Sequence, residues 1–290
     1  MRQLHMTGAL LVGLLGYGLM AFLPNSKPKP VKLVKVWETD TTLRVPESVL
    51  YDEKGKVLYV ANIDGKSDEL DGNGFISKVS LDGKIENLRW TSGLNAPKGM
   101  GIHEGKLYVT DVYRLVVINL ANGQAEKTFD GVGKGAYLND VAIGKDGTVY
   151  VSDNRNDKIY RLKDNKWEVW MEGEQLNRPN GLLAVDKKRL MIGSTKNGAL
   201  RSVDLETKTM MTIADGMGNT DGIVTDGKGN FFVSDWAGQL FHITADGQKQ
   251  QLLDTREQKI NSADIEYVRS KKLLVVPTFL SNKLVAYRVE

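Results

Sequence analysis

The chain has 290 residues and a formal net charge of +3, with acidic and basic residues interspersed along its length. An apolar fraction of 41% is sufficient for a folded core. The charge distribution argues against nucleic-acid binding, which requires a concentrated basic face. Because the sequence contains no cysteine, disulfides, thiolate metal sites and cysteine nucleophiles are excluded.

The N-terminal segment has the features of an export signal. Arg2 and His5 precede the apolar stretch GALLVGLLGYGLMAFL, and a proline-rich sequence follows it. That stretch is shorter than the roughly 20 apolar residues of a membrane-spanning helix. We therefore interpret residues 1–23 as a signal peptide or an uncleaved membrane anchor, and residues 24–30 as a linker. This predicts an exported protein, periplasmic or extracellular, that meets a membrane only through its first segment if that segment is retained.

Six related segments follow the linker. Each contains an alternating apolar strand, a turn rich in Gly, Asp and Lys, and a second strand rich in Val, Tyr and Phe, and a further hairpin comes after it. The segments are PESVLYDEKGKVLYVAN, PKGMGIHEGKLYVTD, LNDVAIGKDGTVYVSD, PNGLLAVDKKRLMIGS, TDGIVTDGKGNFFVSD and SADIEYVRSKKLLVVP. Four-stranded units repeating at roughly 42 residues are typical of a β-propeller.

The two ends of this region complement each other. The last unit ends at NKLVAYRVE and is one strand short, whereas VKLVKVWET, residues 31–39, is a spare strand. Pairing the two segments would close the ring and remove an exposed sheet edge. The sequence therefore predicts one all-β domain over residues 31–290, a six-bladed β-propeller with four-stranded blades. Its ring is closed by pairing residues 31–39 with the strand near residues 283–289.

One position recurs at the start of the innermost strand of each unit. It is occupied by Glu47, Lys98, Asn139, Asn180, Asp221 and Ala263. Ring closure would bring these side chains to one mouth of the central channel. Carboxylate and amide oxygens are the ligands of hard cations such as calcium and magnesium. Asn-Gly and Asp-Gly pairs are also common in turns, which is a purely structural explanation, although Glu47 fits it poorly.

The motifs PES, LND, RPNG and NTDG occur in this order and resemble those of the SMP-30/gluconolactonase (regucalcin-like) family. That family consists of six-bladed propellers that hydrolyse lactones with a divalent cation. The resemblance implies that Glu47, Asn180 and Asp221 bind the metal. Asn139 would bind it directly or through water and would contact substrate, and Asp140 would line the substrate pocket. Asp221 would also be the general base.

Two positions depart from the family pattern. Members that act on sugar lactones usually carry an arginine two residues before the Asn-Asp pair, and Tyr137 occupies that place here. Lys98 brings a cation toward the ring of polar residues. It is either a surface lysine that bends toward solvent or a group that recognises an anionic part of the substrate. Both residues are predicted to bind substrate, and both argue against specificity for sugar lactones.

Other recurring residues have a structural interpretation. Three aspartates end the second strand of their units and are predicted to hold turns: Asp111, Asp153 and Asp235. Most aromatic residues are expected to pack between blades, among them Trp90, Tyr160, Trp167 and Trp170. Trp236 is expected to pack as well, although its loop position would also allow it to flank the mouth.

The sequence thus favours a divalent-metal-dependent hydrolase that opens a lactone or related ester with metal-activated water. It would use one divalent cation, with calcium favoured over magnesium, zinc or manganese, and a small-molecule lactone or ester as its partner. A non-catalytic NHL-like binding propeller is the main alternative, because a fold does not determine a function. A strictosidine-synthase-like enzyme that works without a metal is a third possibility.

Overall fold

Twenty-four β-strands make up most of the chain that the computed structural model describes, namely Met1, residues 30–131 and residues 135–290. Apart from Met1, the predicted export segment lies outside the described residues, as does the linker up to Pro30. The described helices are three short 3-10 turns, at Glu174–Leu176, Arg269–Lys271 and Phe279–Ser281. Within the described ranges, no helix is long and apolar enough to cross a bilayer.

The strands form six antiparallel sheets of four, which are the six blades. Blade 1 contains β2 (Pro46–Asp52), β3 (Val57–Asn62), β4 (Gly74–Val79) and β5 (Ile85–Leu94). Blade 2 contains β6 (Pro97–His103), β7 (Lys106–Asp111), β8 (Arg114–Asn119) and β9 (Ala125–Asp130). Blade 3 contains β10 (Leu138–Ile143), β11 (Val149–Asp153), β12 (Lys158–Lys163) and β13 (Lys166–Glu172).

The remaining blades follow the same order along the chain. Blade 4 contains β14 (Pro179–Ala184), β15 (Arg189–Ser194), β16 (Ala199–Asp204) and β17 (Met210–Ala214). Blade 5 contains β18 (Thr220–Thr225), β19 (Phe231–Asp235), β20 (Gln239–Ile243) and β21 (Lys249–Asp254). Blade 6 contains β22 (Glu266–Val268), β23 (Leu273–Pro277), β24 (Leu284–Val289) and, as its outer strand, β1 (Leu33–Glu38). The predicted six-bladed propeller is confirmed.

Ring closure occurs where the sequence predicted it. Strand β1 pairs antiparallel with β24, with Leu33 opposite Val289 and Glu38 opposite Val285. The pairing extends one residue further, since the Lys32 amide donates to the Glu290 carbonyl at 2.9 Å. The outer edge of β24 is therefore covered by the N-terminal strand, which blocks pairing with another chain at that edge.

The hydrophobic core lies between neighbouring blades. In blade 1 every residue of β3 is buried, whereas in blade 2 the outer strand β9 is almost entirely exposed. One apolar cluster joins Tyr59 of blade 1 to Val109 of blade 2. Phe129 of blade 2 lies 5.9 Å from Trp167 of blade 3, measured between ring centroids. Trp90, Trp170 and Tyr160 belong to clusters that likewise join neighbouring blades, so the predicted packing role of these residues is confirmed.

Glycines in the innermost strands permit close approach between blades. A β-carbon added at Gly99 would lie 2.4 Å from the Cα of Asp140, and one at Gly222 would lie 2.4 Å from the amide nitrogen of Ile265. Both glycines lie inside strands, β6 and β18, and not in turns. The turn explanation of the Asp-Gly pair is therefore wrong. Glycine follows the polar residue because the next blade leaves no room for a side chain.

Candidate functional site

A cavity of about 510 Å³ occupies one end of the central channel, within the size range of small-molecule sites. Six of the predicted site residues line it: Glu47, Lys98, Tyr137, Asn139, Asn180 and Asp221. Except for Tyr137, which directly precedes β10, the innermost strands present these side chains through local irregularities in pairing. In β14, for example, the register shifts between Pro179 and Leu182, on either side of Asn180. Such bulges redirect side chains, here toward the channel mouth.

The three predicted metal ligands are almost completely buried. Glu47, Asn180 and Asp221 are 5%, 7% and 2% exposed. Glu47 Oε2 and Asn180 Oδ1 have no hydrogen-bond partner within the described residues. A buried polar atom without a partner costs about 1–3 kcal/mol, so these two oxygens require a ligand to offset that cost. A hard cation matches their chemistry, because it binds carboxylate and amide oxygens.

Electrostatics also favour a positive ligand at this place. Burial raises the pKa of Asp221 well above its usual range, and nearby Asp264 adds to the shift, whereas a hydrogen bond from the Asn180 side chain opposes it. Burial likewise raises the pKa of Glu47, with Asp221 adding to the shift and Lys98 opposing it. Because neighbouring carboxylates disfavour each other's ionised forms, a divalent cation would stabilise both charges.

The ligand set depends on amide groups as well as carboxylates. Across residues 30–131 and 135–290, no group of three or more His, Asp or Glu side chains is arranged to hold a metal ion. The candidate set has two carboxylates, and its further oxygens come from Asn180 and Asn139. Asn139 is 8% exposed and lines the same cavity. The donor chemistry therefore fits calcium or magnesium better than a metal that prefers histidine.

Lys98 lies inside the mouth. The side chain is 1% exposed, and its Nζ donates to the Ala96 carbonyl at 3.0 Å. The ammonium also lies over the Tyr137 ring, 4.5 Å from the ring centroid. Burial lowers the pKa of Lys98 to about 8, although Glu47 opposes the shift. The alternative of a surface lysine that bends toward solvent is therefore wrong.

Asp140, which the family resemblance placed in the substrate pocket, lies deeper in the channel and does not line this cavity. Its Oδ1 accepts from the Val141 amide and its Oδ2 from the Leu182 amide, both at 2.6 Å. The bond from Leu182 ties blade 3 to blade 4, whereas Val141 belongs to the same strand as Asp140. Asp140 faces a smaller cavity of about 180 Å³ further along the innermost strands, together with Asp264. Burial raises the pKa of Asp140 to about 7.

The three recurrent aspartates hold the loops that precede the innermost strands: Asp111, Asp153 and Asp235. Asp153 Oδ1 accepts from the Tyr137 amide at 3.1 Å, and Asp235 Oδ1 accepts from the Asn219 amide at 2.8 Å. Their predicted structural role is confirmed. They act on the site indirectly, because each anchored loop leads directly into a strand that carries a candidate site residue.

Sequence reasoning missed much of the cavity wall. The lining residues that the sequence did not single out are Ile63, Ser67, Asn154, Arg178, Thr195, Lys196, Asn219 and Phe279. Trp236, whose loop position allowed a place at the mouth, lines the cavity as well. Most of these residues lie in the loop between the second and third strands of a blade. Trp236 and Asn154 directly follow the recurrent aspartate, so the repeat itself contained this signal. Trp236 flanks the mouth and packs on Phe279, with ring centroids 5.5 Å apart.

Solved structures with the same fold include enzymes of two kinds. A gluconolactonase from Xanthomonas campestris is 16% identical, with a TM-score of 0.66 over 86% of this chain and 87% of that one. A virginiamycin B lyase from Staphylococcus aureus is 13% identical, with a TM-score of 0.63 over 89% and 99%. A streptogramin B lyase is 14% identical, with a TM-score of 0.66 over 90% and 98%. At these identities the likeness shows the fold.

The sequence itself carries the family signal. No curated protein matches the chain. A profile of the SMP-30/Gluconolactonase/LRE-like region, however, matches residues 45–263, which include every residue of the proposed ligand set. The match spans well over half of the chain, from the first blade to the start of the sixth. The protein therefore belongs to the SMP-30/gluconolactonase family.

Proposed function

We propose that the protein is a divalent-metal-dependent hydrolase that opens a lactone or a related ester with water. Family membership supports a lactonase-type propeller. One observation carries the metal dependence: Glu47 Oε2 and Asn180 Oδ1 are buried without a partner in the described part of the chain, and both residues line the same cavity as Asp221. A scaffold that only binds a partner does not require this arrangement.

Glu47, Asn180 and Asp221 would hold one cation, and Asn139 would join them directly or through water. Calcium is the preferred ion because it accepts six to eight oxygen ligands in flexible geometry. Two carboxylates balance its charge, and three or four protein ligands leave positions for water and substrate. When bound, the cation supplies a Lewis acid for the ester carbonyl and lowers the pKa of a water molecule.

Asp221 acts as the general base in this proposal. Its carboxylate takes a proton from the attacking water, whose oxygen bonds to the carbonyl carbon. The bond between that carbon and the leaving alkoxide oxygen then breaks, and the alkoxide takes up the proton that Asp221 accepted, which restores the carboxylate. The Asn180 side chain lowers the pKa of Asp221 and so favours the ionised form that a general base requires. Asn139 presents an amide to the same cavity, where its N–H groups can donate to the substrate.

The test combines metal analysis with a lactone panel. Purified protein is assayed for bound metal by mass spectrometry, and lactone and ester hydrolysis is measured with and without chelator. Asp221→Asn should reduce kcat/KM by about 100- to 10,000-fold, as is typical when a general base is lost. Glu47→Gln should weaken metal binding. Asp226→Asn is the matched control, because this carboxylate follows the far end of β18 and lies outside the cavity at the mouth.

Three results would overturn the proposal. Wild-type turnover and metal affinity in Asp221→Asn would show that Asp221 is neither the general base nor a metal ligand. Full-rate hydrolysis of lactones by metal-free protein would show that the reaction does not need the metal. If the metal-loaded protein hydrolyses no member of the panel, the NHL-like binding propeller becomes the better explanation, because it predicts ligand binding without turnover.

A further inference from the structure

The mouth of the channel has two walls of opposite character. Blades 5, 6 and 1 contribute an apolar wall, made of Trp236, Phe279 and Ile63. Blades 2 and 4 contribute a cationic wall on the other side, made of Lys98, Arg178 and Lys196. The proposed metal ligands lie between the walls, at the start of the innermost strands. A ligand at the metal therefore meets different chemistry on its two sides.

Lys98 is the most constrained part of the cationic wall. An ammonium group carries three N–H donors, and within the described chain Lys98 uses one of them, toward the Ala96 carbonyl. The side chain is almost fully buried, so solvent does not satisfy the remaining donors as it would on the surface. An anionic ligand atom in the cavity would complete the hydrogen bonding of this ammonium.

The charges around the mouth do not cancel once a divalent cation is bound. Glu47 and Asp221 are the acidic residues that line the cavity, and the cation balances them. Lys98, Arg178 and Lys196 then remain, and none of them forms an ion pair within residues 30–131 and 135–290, although Glu47, Asp111 and Asp68 attract the Lys98 ammonium at longer range. Arg178 is instead positioned by a neutral partner, since its Nη2 donates to Asn154 Oδ1 at 3.0 Å. Its charge is thus free to attract an anion.

The opposite wall is held rigidly. Phe279 has a left-handed backbone with φ of 47°, a conformation that costs a bulky residue about 1–3 kcal/mol and persists only where the surroundings impose it. Its ring packs edge-on against Trp236 and belongs to the apolar cluster around Ile63. Trp236 is tied down in turn, because its carbonyl accepts from Asn261 Nδ2 at 3.0 Å. A flat apolar group would contact this wall without rearranging it.

We propose that the site takes an amphipathic anionic substrate, an ester or lactone with a carboxylate or phosphate group held by Lys98 and Arg178 and an aromatic or similarly flat apolar part held against Trp236 and Phe279. The cavity of about 510 Å³ is large enough for such a molecule. The reacting ester group rests on the function proposed above, whereas the recognition of the anionic and apolar parts does not depend on it.

Binding of two small probes tests the recognition without catalysis. 4-Fluorobenzoate and 4-fluorobenzyl alcohol share a ring and differ in charge, and 19F NMR titration gives the Kd of each on the calcium-loaded full chain. We expect the benzoate to bind at least tenfold more tightly to the wild type. Lys98→Met should reduce this preference to less than threefold, and Lys98→Arg should keep most of it. Trp236→Ala should weaken both probes by a similar factor.

Two further variants control for structural effects. Lys187→Met removes an exposed lysine near the far end of β14 and should leave the preference unchanged. Arg178→Met changes an exposed side chain, so it reports on the cationic wall even if Lys98→Met is poorly folded. Equal affinity of the two probes for the wild type would overturn the proposal. A preference that survives in both Lys98→Met and Arg178→Met would do the same.

Hydrolysis of a matched lactone pair separates the two proposals. 3,4-Dihydrocoumarin and its 6-carboxy derivative contain the same reacting ester, and the second adds a carboxylate. Faster hydrolysis of the carboxylated lactone supports both proposals. A clear preference for benzoate, without hydrolysis of either lactone, would support the proposed anion recognition and would count against the hydrolase function. Faster hydrolysis of the neutral lactone, with no preference for benzoate, would support the hydrolase function and would overturn the proposal of an anionic substrate.

Discussion

Gly181 packs directly against the main chain of Asp221, so closely that a β-carbon at position 181 would lie 1.8 Å from the Asp221 carbonyl oxygen. Gly181 follows one proposed metal ligand, Asn180. Its packing therefore sets the position of another proposed ligand, Asp221, in the next blade. The Asn180 side chain also lowers the pKa of Asp221. Backbone packing and a side-chain interaction thus couple blades 4 and 5 at the channel mouth.

Gly181→Ala should damage both the fold and the site. The added methyl group forces β18 away, which we expect to lower the free energy of unfolding by about 1–3 kcal/mol and to weaken calcium binding. Thermal unfolding and calcium titration measure the two effects. Gly193→Ala is the control in the same blade, because the nearest atom to its β-carbon would be a flexible Ile223 carbon at 3.3 Å. Equal behaviour of the two variants would contradict the packing argument.

Asp153→Ala should destabilise the protein without removing a metal ligand. Asp153 accepts hydrogen bonds from the amides of Tyr137, Arg155 and Asn156, so its loss leaves several donors without their partner. We expect a loss of about 1–3 kcal/mol in the free energy of unfolding, with calcium affinity nearly unchanged. Asp153→Asn, which keeps one acceptor oxygen, should recover part of the stability. A large loss of calcium affinity in both variants would assign Asp153 to the metal site.

Removal of strand β1 should open the ring. A chain beginning at Thr39 lacks the partner of β24 and exposes its edge, so we expect a lower unfolding temperature and concentration-dependent association. A chain beginning at Pro30 keeps β1 and should unfold at the temperature of the full-length protein. Calorimetry and light scattering compare the two. A stable monomer beginning at Thr39 would show that closure by β1 is dispensable.

Calcium should stabilise the protein more at neutral than at acidic pH. The folded-state pKa values of Glu47 and Asp221 are raised, so without metal the folded protein holds protons that the unfolded chain releases. The contribution of these two carboxyls to stability is then greatest at low pH and falls as the pH rises above their ordinary pKa values of 4.5 and 3.8. Calcium at about a hundredfold excess over its Kd should restore about 2.7 kcal/mol at pH 7.5.

Calorimetry with chelator and with calcium, at pH 5 and pH 7.5, measures this dependence. The difference between the two conditions should be smaller at pH 5, because the proton and the cation compete for the same carboxylates. Glu47→Gln should lose most of the calcium effect at both pH values. If calcium stabilised the wild type equally at pH 5 and pH 7.5, the ion would have to bind away from Glu47 and Asp221.

The preference for an anionic ligand should decline in alkaline solution. Burial lowers the pKa of Lys98 to about 8, so at pH 9 only about one tenth of these side chains carry a charge. Titration of 4-fluorobenzoate and 4-fluorobenzyl alcohol at pH 7 and pH 9.5 should show the preference shrinking in the wild type. Lys98→Arg should keep its preference, since a guanidinium stays charged throughout this range. A pH-independent preference in the wild type would assign the recognition to Arg178.

The sequence by itself determined the architecture and most of the candidate ligand set. A propeller is a ring of similar local units, so strand alternation and the return of one polar position near every 41 residues carried enough information to predict the blades. The same periodicity identified Glu47, Asn139, Asn180 and Asp221 as neighbours, because residues at equivalent positions of a closed ring meet at one mouth. The spare strand at residues 31–39 was predictable for a similar reason, as one unit lacked a partner.

Only the tertiary structure decided what surrounds those positions. The burial of Lys98 depends on Tyr137 from the next blade, and no local pattern reports a contact between blades. Asn139 and Asp140 are adjacent, yet one reaches the mouth and the other binds backbone amides deeper in the channel, because a bulge separates their directions. The opposing walls likewise require the ring, since Trp236 and Phe279 come from different blades and face the cations only across the closed channel.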